Sequence, residues 1–295
     1  MKSVDYKIKN EKVSDNKNMR LQDILASGEA ELEVHKIAEA KLDAWYLFED
    51  IFQMNRATYF MNMHQEAEEE KIEKYQRAIH LRSKHIPLQH ITGTQEFMGL
   101  SFEVNENVLI PRQDTECLVE RVMEYAKDKD VLDVCTGSGC IIISLEKLAE
   151  IKSATAVDIS KEALKVAQRN AMKLNAKIKF VESDLFSHVQ EKYDIIVSNP
   201  PYIPTKVIDG LMEEVKNHEP MLALDGKEDG LYFYRRIIEE APKYLTFEGM
   251  LFFEIGHDQG VAVSNLMKER GFEQVCVEKD LAGLDRVVYG KLNLN

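Results

Sequence analysis

The sequence predicts an α/β fold, a mostly parallel sheet with helices on both faces, preceded by a small N-terminal helical domain. Three observations carry that reading. From about residue 117 onward, short apolar runs alternate with helical stretches, the pattern of a parallel sheet wrapped by crossover helices. Residues 21–86 show instead only the three- and four-residue spacing of amphipathic helices. The chain has 295 residues, 44% apolar and 30% charged, which is ordinary globular composition with room for two domains.

Taken in order, residues 1–18 are polar, rich in lysine and asparagine, and read as a disordered tail. Residues 19–87 form the helical domain. Leu42, Trp45, Tyr46 and residues 49–52 recur at helical spacing, and residues 66–81 follow the same period. Glu66, Glu68, Glu69 and Glu70 suit a solvated first turn, where negative charge complements the helix dipole. Two to four helices would bury these faces. After Pro87 the pattern changes, and alternation near residues 97–109 predicts a short hairpin within a connector at 88–110. The second domain, 111–295, has strand-like runs at 131–135, 154–159, 178–182, 193–198 and 250–255. Helices are expected at 160–175, with Ser160 as N-cap, and at 231–244. Runs at 273–278 and 285–291, joined only by a loop, predict an antiparallel finish to the sheet.

Composition narrows the partners. Lys plus Arg number 38 and Asp plus Glu 51, a net charge of −13. Residues 1–94 carry 14 basic and 16 acidic side chains, against 24 and 35 in residues 95–295. A surface so acidic argues against direct nucleic-acid binding, whose footprint is basic. Cys117, Cys135, Cys140 and Cys276 form no C-x-x-C pair and no grouping with histidine, so no metal is expected and the thiols suit a reducing cytosol. No signal-peptide core and no run of about 20 apolar residues occurs. The chain is expected to be cytoplasmic, without membrane contact.

Two motifs carry chemistry. The first is Asp133-Val-Cys-Thr-Gly-Ser-Gly-Cys140, directly after a strand and opening a helix. Glycines there admit a ligand to the backbone, and the helix N-terminus offers unsatisfied N–H groups. A tight strand-to-helix turn would explain this much alone. Asp158, at the end of the next strand, adds a carboxylate able to take both ribose hydroxyls, which favours a nucleoside. The glycines do not fit G-x-G-x-x-G, which disfavours a dinucleotide. Asp133 at the strand tip would face a cationic or amine-bearing ligand, and the combination points to S-adenosylmethionine.

The second motif, Asn199-Pro-Pro-Tyr202, follows the run at 193–198, where open α/β sheets place ligands. The prolines Pro200 and Pro201 fix the backbone and remove two donors. The Asn199 side-chain oxygen and the Pro200 carbonyl are left as acceptors for a planar –NH2 group, on which Tyr202 could stack. The alternative is a rigid proline turn with a packed tyrosine.

Asn-Pro-Pro-Tyr in this place resembles the amino-methyltransferases, which methylate an exocyclic base amine or a glutamine amide. From Leu21 onward the chain more closely resembles the peptide chain release factor glutamine methyltransferases (the PrmC/HemK family). The matching stretches include Val108-Leu-Ile-Pro-Arg-Gln-Asp-Thr-Glu116, the turn at 133–139, Ala156-Val-Asp-Ile-Ser160, Ser183-Asp-Leu-Phe186, Ile196-Val-Ser-Asn-Pro-Pro-Tyr-Ile-Pro204, Glu219-Pro-Met-Leu-Ala-Leu-Asp-Gly226, Glu254-Ile-Gly-His-Asp-Gln-Gly260 and Asp280-Leu-Ala-Gly-Leu-Asp-Arg286.

That resemblance implies a Rossmann-like, S-adenosylmethionine-dependent methyltransferase fold with seven strands at 111–295, and a substrate-recognition role for residues 19–87. It implies transfer of a methyl group to the glutamine of the Gly-Gly-Gln loop of a release factor, leaving S-adenosylhomocysteine; the chain is expected to be a monomer, although no residue pattern reports its oligomeric state. Carried over residue by residue, Cys135, Thr136, Gly137, Ser138 and Gly139 would line the methionine end and Asp158 would hold the ribose. Asp184 and Phe186 would flank the adenine, the latter by stacking. Asn199, Pro200, Pro201 and Tyr202 would position the glutamine, with Arg112 bordering the cleft. The family usually has Gly where Cys135 stands, Pro at Gln113 and Glu at Asp114. A side chain at Cys135 is expected to sit in the ordinary β region.

Other readings remain open at this level: a sibling acting on a large-subunit ribosomal protein, a DNA or RNA amino-methyltransferase, or a non-catalytic adaptor. An amide nitrogen is a poor nucleophile, so rate is expected from positioning rather than from a general base. His218 and His257 are read as structural.

Overall fold

A computed structural model describes residues 19–293; the tail expected at 1–18 lies outside them. Contacts divide the chain between Thr92 and Gly93. The described part of the first unit is built on helices, α1 (Leu21–Val34), α2 (Ala40–Phe52), α3 (Arg56–Asn62), α4 (Glu69–Arg82) and α5 (Leu88–Thr92). Its core is aromatic. Phe48 stacks on Phe52 at 4.3 Å between centroids, and Tyr59 and Tyr75 meet Phe48 edge-on. Beneath them Arg82 Nε donates to Asp43 Oδ2 at 2.8 Å, a buried ion pair whose guanidinium also reaches the Ile86 carbonyl. Such a pair is costly to break one partner at a time.

The segment expected as a connector at 88–110 divides between the units. Its first residues form α5, because the Pro87 carbonyl accepts from the amides of His90 and Ile91 and proline suits a helix start. The hairpin is β1 (Thr94–Phe97) and β2 (Leu100–Glu103). Met98 and Gly99 both take positive φ at the turn, the geometry of a tight hairpin loop.

The second unit continues α6 (Asp114–Ala126), β3 (Asp130–Val134), α7 (Cys140–Leu148), β4 (Ser153–Asp158), α8 (Lys161–Lys173), β5 (Lys179–Glu182), β6 (Tyr193–Ser198), α9 (Thr205–Ile208), α10 (Glu213–His218), α11 (Met221–Leu224), α12 (Tyr232–Glu240), β7 (Leu245–Glu254), α13 (Gly260–Glu269), β8 (Phe272–Lys279) and β9 (Asp285–Leu292). The helix expected to run to residue 244 stops at Glu240, where Pro242 breaks the α pattern and a single 3-10 turn follows. The seven-stranded sheet has the order β5-β4-β3-β6-β7-β9-β8. Its first five strands are parallel, and β9 runs antiparallel to both β7 and β8.

Alternation along each strand feeds two apolar layers. Val131 and Phe252 face the layer of α6 and α7, whereas Leu132, Val134, Leu251 and Phe253 face the layer of α12 and α13. The chain leaves β3 toward β4 and β5, then returns to place β6 on the other side of β3. Beyond the carboxyl ends of β3 and β6 a crevice must therefore open. Among the described residues no helix is long and apolar enough to cross a membrane.

Candidate active site

Both motifs meet in that crevice, around a cavity of about 320 Å3 whose wall includes Cys135, Gly137, Asp158, Asp184, Asn199 and Arg112. A wider depression of about 770 Å3 lies on the helical unit among Glu29, Glu33, Trp45 and Phe60, and holds no motif residue.

The floor is the turn from β3 into α7. Gly137 and Gly139 have φ of +55° and +80°. At Gly139 a Cβ would stand 2.9 Å from Ile143 Cδ1 and 3.1 Å from Ala167 Cβ, so close packing of α7 on α8 requires glycine there. At Gly137 a Cβ would meet nothing within 4 Å, and only the backbone angle favours glycine. Cys135 overturns the expectation of a β-region backbone: its φ is +64°. The turn imposes the left-handed conformation regardless of side chain, and the thiol accepts it at a cost of about 1 kcal/mol. Burial pushes the thiols of Cys135 and Cys140 up, the latter to about 12, so both walls are neutral.

Asp158 clamps this turn. Its Oδ2 accepts from the Gly137 amide at 2.9 Å, and its Oδ1 accepts from the Ser160 amide at 2.8 Å. Ser160 caps α8 by accepting from the Ala163 amide. Burial raises the Asp158 pKa against the pull of those amides. Each oxygen keeps a further lone pair for hydroxyls.

Asp133 differs from expectation. It lies on the α6–α7 face of β3, fully buried, rather than on the cavity wall. Its Oδ2 accepts from the Thr136 hydroxyl at 2.6 Å, and Oδ1 has no partner among the described residues. Burial pushes its pKa up to about 7. Asp133 thus shapes the turn from behind rather than lining the cavity.

The adenine side also needs correction. Asp184 is on the wall, held by a forked pair from Arg236 at 3.0 and 3.3 Å. Phe186 is not: it is fully buried in the α12 layer and stacks on Tyr244 at 4.8 Å with planes 5° apart. The bond from the Ser183 hydroxyl to the Leu185 carbonyl turns the loop, and Leu185 faces the cavity in its place.

At the end of β6, Asn199 and Pro201 line the cavity, while Pro200 and Tyr202 do not. Asn199 Nδ2 donates to Thr115 Oγ1 at 3.4 Å. The Tyr202 hydroxyl donates to Glu254 Oε1 at 3.3 Å, and its ring packs against the α12 layer, so it is not free to stack on a planar group in the cavity. Two glycines brace this loop: a Cβ at Gly226 or Gly230 would stand 2.7 Å or 2.3 Å from Tyr202 backbone atoms. Arg112 is on the wall and donates to Glu219, whose carboxyl burial pushes up and Arg112 pulls down.

Several functional residues escaped the sequence reading. Asn170, fully buried, donates to the carbonyls of Glu103 and Ser138 and accepts from the Glu103 amide, tying the β2 end to the glycine turn. Tyr232, Phe233 and Arg236 bring α12 to the wall. Only the position of α12 after the Gly230 turn hinted at them. No histidine lines the cavity among the described residues.

Comparison with known proteins fits this geometry. Residues 23–93 match the PrmC N-terminal domain, and residues 113–227 match the methyltransferase small domain. A release factor glutamine methyltransferase of Clostridium botulinum is 41% identical over 278 residues, covering 92% of this chain and 98% of that protein. The chain belongs to the release factor glutamine methyltransferases. A member of this family from Bacillus subtilis is 39% identical, with 82% of this chain and 88% of that protein covered. A methyltransferase of Pyrococcus furiosus superimposes with a TM-score of 0.50 over 66% of this chain and 90% of its own, at 16% identity, which speaks to the fold alone. The fold is the Rossmann-like fold of S-adenosylmethionine-dependent methyltransferases.

Proposed function

We propose that this chain transfers a methyl group from S-adenosylmethionine to the side-chain amide nitrogen of a release factor glutamine. The observation that carries the reading is the placing of Asn199 on the wall of the same cavity as Asp158, with its Nδ2 engaged by Thr115. That bond leaves Oδ1 as an acceptor for a planar –NH2 group.

The donor set fits the cofactor. Asp158 keeps lone pairs for a ribose, the amides at the start of α7 suit a carboxylate, and neutral walls at Cys135 and Cys140 accommodate a sulfonium without displacing a cation. When bound, the cofactor supplies an electrophilic methyl group. Asn199 Oδ1 would accept from the amide –NH2, orienting the nitrogen and favouring the positive charge it gains, while Pro200, off the cavity wall, would act only by fixing the turn that carries Asn199. Asp184 and Leu185 would border the adenine. Arg112, fixed by Glu219, would border the substrate's entry, and the helical unit would hold the body of the release factor.

The test is methyl transfer from labelled S-adenosylmethionine to a release factor, a large-subunit ribosomal protein fraction and unmodified DNA, each offered separately. Label is expected in the release factor alone and should vanish when the glutamine of its Gly-Gly-Gln loop is replaced. Label in DNA or in the ribosomal fraction, with none in the release factor, would refute the proposal.

A further inference from the structure

Two buried side chains, Thr115 and Glu254, stand between the two ends of Asn199-Pro-Pro-Tyr202. Parallel pairing sets Ser198 beside Phe253, so Asn199 and Glu254 leave adjacent strands at one level. Thr115, on the first turn of α6, stands between them. Thr115 and Glu254 are each only 2% exposed.

The polarity of this chain of bonds is fixed at one end. Asn199 Nδ2 donates to Thr115 Oγ1, so the single Thr115 hydrogen must point elsewhere. Glu254 Oε2 is buried and has no donor at full hydrogen-bond geometry among the described residues. Tyr202 donates to Oε1, and burial raises the Glu254 carboxyl while the neighbouring Thr115 hydroxyl, Arg286 and Tyr202 pull it back down. Arg286 lies close enough to offset part of the buried charge, and is itself held by Asp280 and Asp114. With Oε1 taken by Tyr202, the bare Oε2 is an acceptor toward which the Thr115 hydrogen can turn. That arrangement suits Thr115 as an acceptor toward Asn199 Nδ2 and leaves Asn199 Oδ1 as the face turned to the cavity.

We infer that Thr115 and Glu254 are positioning residues for methyl transfer, setting which end of the Asn199 amide meets the substrate. The inference rests on the proposed role of Asn199. With valine at 115 the anchor for Nδ2 is gone and the amide turns freely. With glutamine at 254 the carboxamide can donate to Thr115 and reverse the chain.

Two measurements test it. Steady-state methylation of a release factor by Thr115→Val should show kcat reduced about tenfold or more, with cofactor Kd within about twofold of the parent. Glu254→Gln should behave alike, and Thr115→Ser, which keeps the hydroxyl, should restore most of the rate. Independently of any substrate, the Asn199 side-chain NH2 resonances should show one slowly exchanging proton in the parent and in Thr115→Ser, but not in Thr115→Val. The inference is overturned if Thr115→Val keeps its rate and its protected proton, or if valine and serine behave alike. Loss of cofactor binding together with rate in both Thr115→Val and Glu254→Gln would assign the pair to packing alone, and so also overturns it. Failure of the parent chain to label a release factor, with the NMR pattern intact, would strike the substrate reading and not the polarity of the chain.

Discussion

Replacing Phe186 with alanine separates a core residue from an adenine-stacking one. The ring has no exposed surface and lies parallel to Tyr244 at 4.8 Å, inside the layer beneath α12. Deleting a fully buried phenylalanine costs about 3–5 kcal/mol, in which loss of the stacked pair is one part. For a unit of this size each kcal/mol lowers Tm by about 2–4 °C, so Phe186→Ala should melt roughly 6–20 °C below the parent. Leu185, not Phe186, faces the cavity, so cofactor affinity should change by less than about threefold when titrated calorimetrically at a temperature where the variant is folded. A base stacked on an aromatic ring would instead lose about 1–3 kcal/mol on truncation, roughly five- to 150-fold in Kd. A variant with nearly unchanged Tm and cofactor binding weakened by about tenfold or more would refute the reasoning.

Further outcomes follow from the turn. Asp133 holds its proton up to about pH 7 when folded but releases it near pH 4 when unfolded, so its contribution to stability is full below that lower value and declines as pH rises toward 7. Asp133→Asn, which keeps an acceptor for Thr136, should therefore gain Tm relative to the parent as pH rises from 5 to 8; a difference that is flat with pH would count against the buried carboxyl. In urea titrations Gly139→Ala should cost more than Gly137→Ala, because only the first adds a clash with Ile143 and Ala167 to the roughly 1 kcal/mol cost of a positive φ. Equal costs would show that backbone angle alone governs the turn.

What the sequence made legible was whatever the backbone writes into residue type. A strand followed by Thr-Gly-Ser-Gly, an acid at the next strand end and two prolines after β6 each restrict the main chain, and each stands at the crevice. The failures were of side-chain direction. Asp184 and Phe186 lie two residues apart in a loop without periodicity, so nothing in the sequence could tell that one faces the cavity and the other the core. Its place at the strand end suggests a ligand-facing Asp133, although alternation from Val131 already puts it on the α6–α7 face. Cys135 shows the same limit in the backbone: a residue type that disfavours positive φ was read as evidence against it, whereas the turn around it decides. Asn170 was invisible because its partners, Glu103 and Ser138, come from separate parts of the chain.

The bracing of the Tyr202 loop has a consequence for how this surface can diversify. The Ile203 amide donates to the Leu224 carbonyl and the Gly226 amide donates to the Ile203 carbonyl, at 3.0 and 2.8 Å. Residues 204–223 thus depart from and rejoin the scaffold at one seam of main-chain bonds and two glycines, with Glu219 tied back to Arg112. Loop-closure entropy grows only slowly with length, so the outer part of this excursion around the exposed Met212 is free to lengthen, shorten or change composition while the seam and the Arg112–Glu219 bond hold. That outer stretch can therefore vary between relatives without moving Asn199, because the seam and Glu219 hold the residues on the cavity wall.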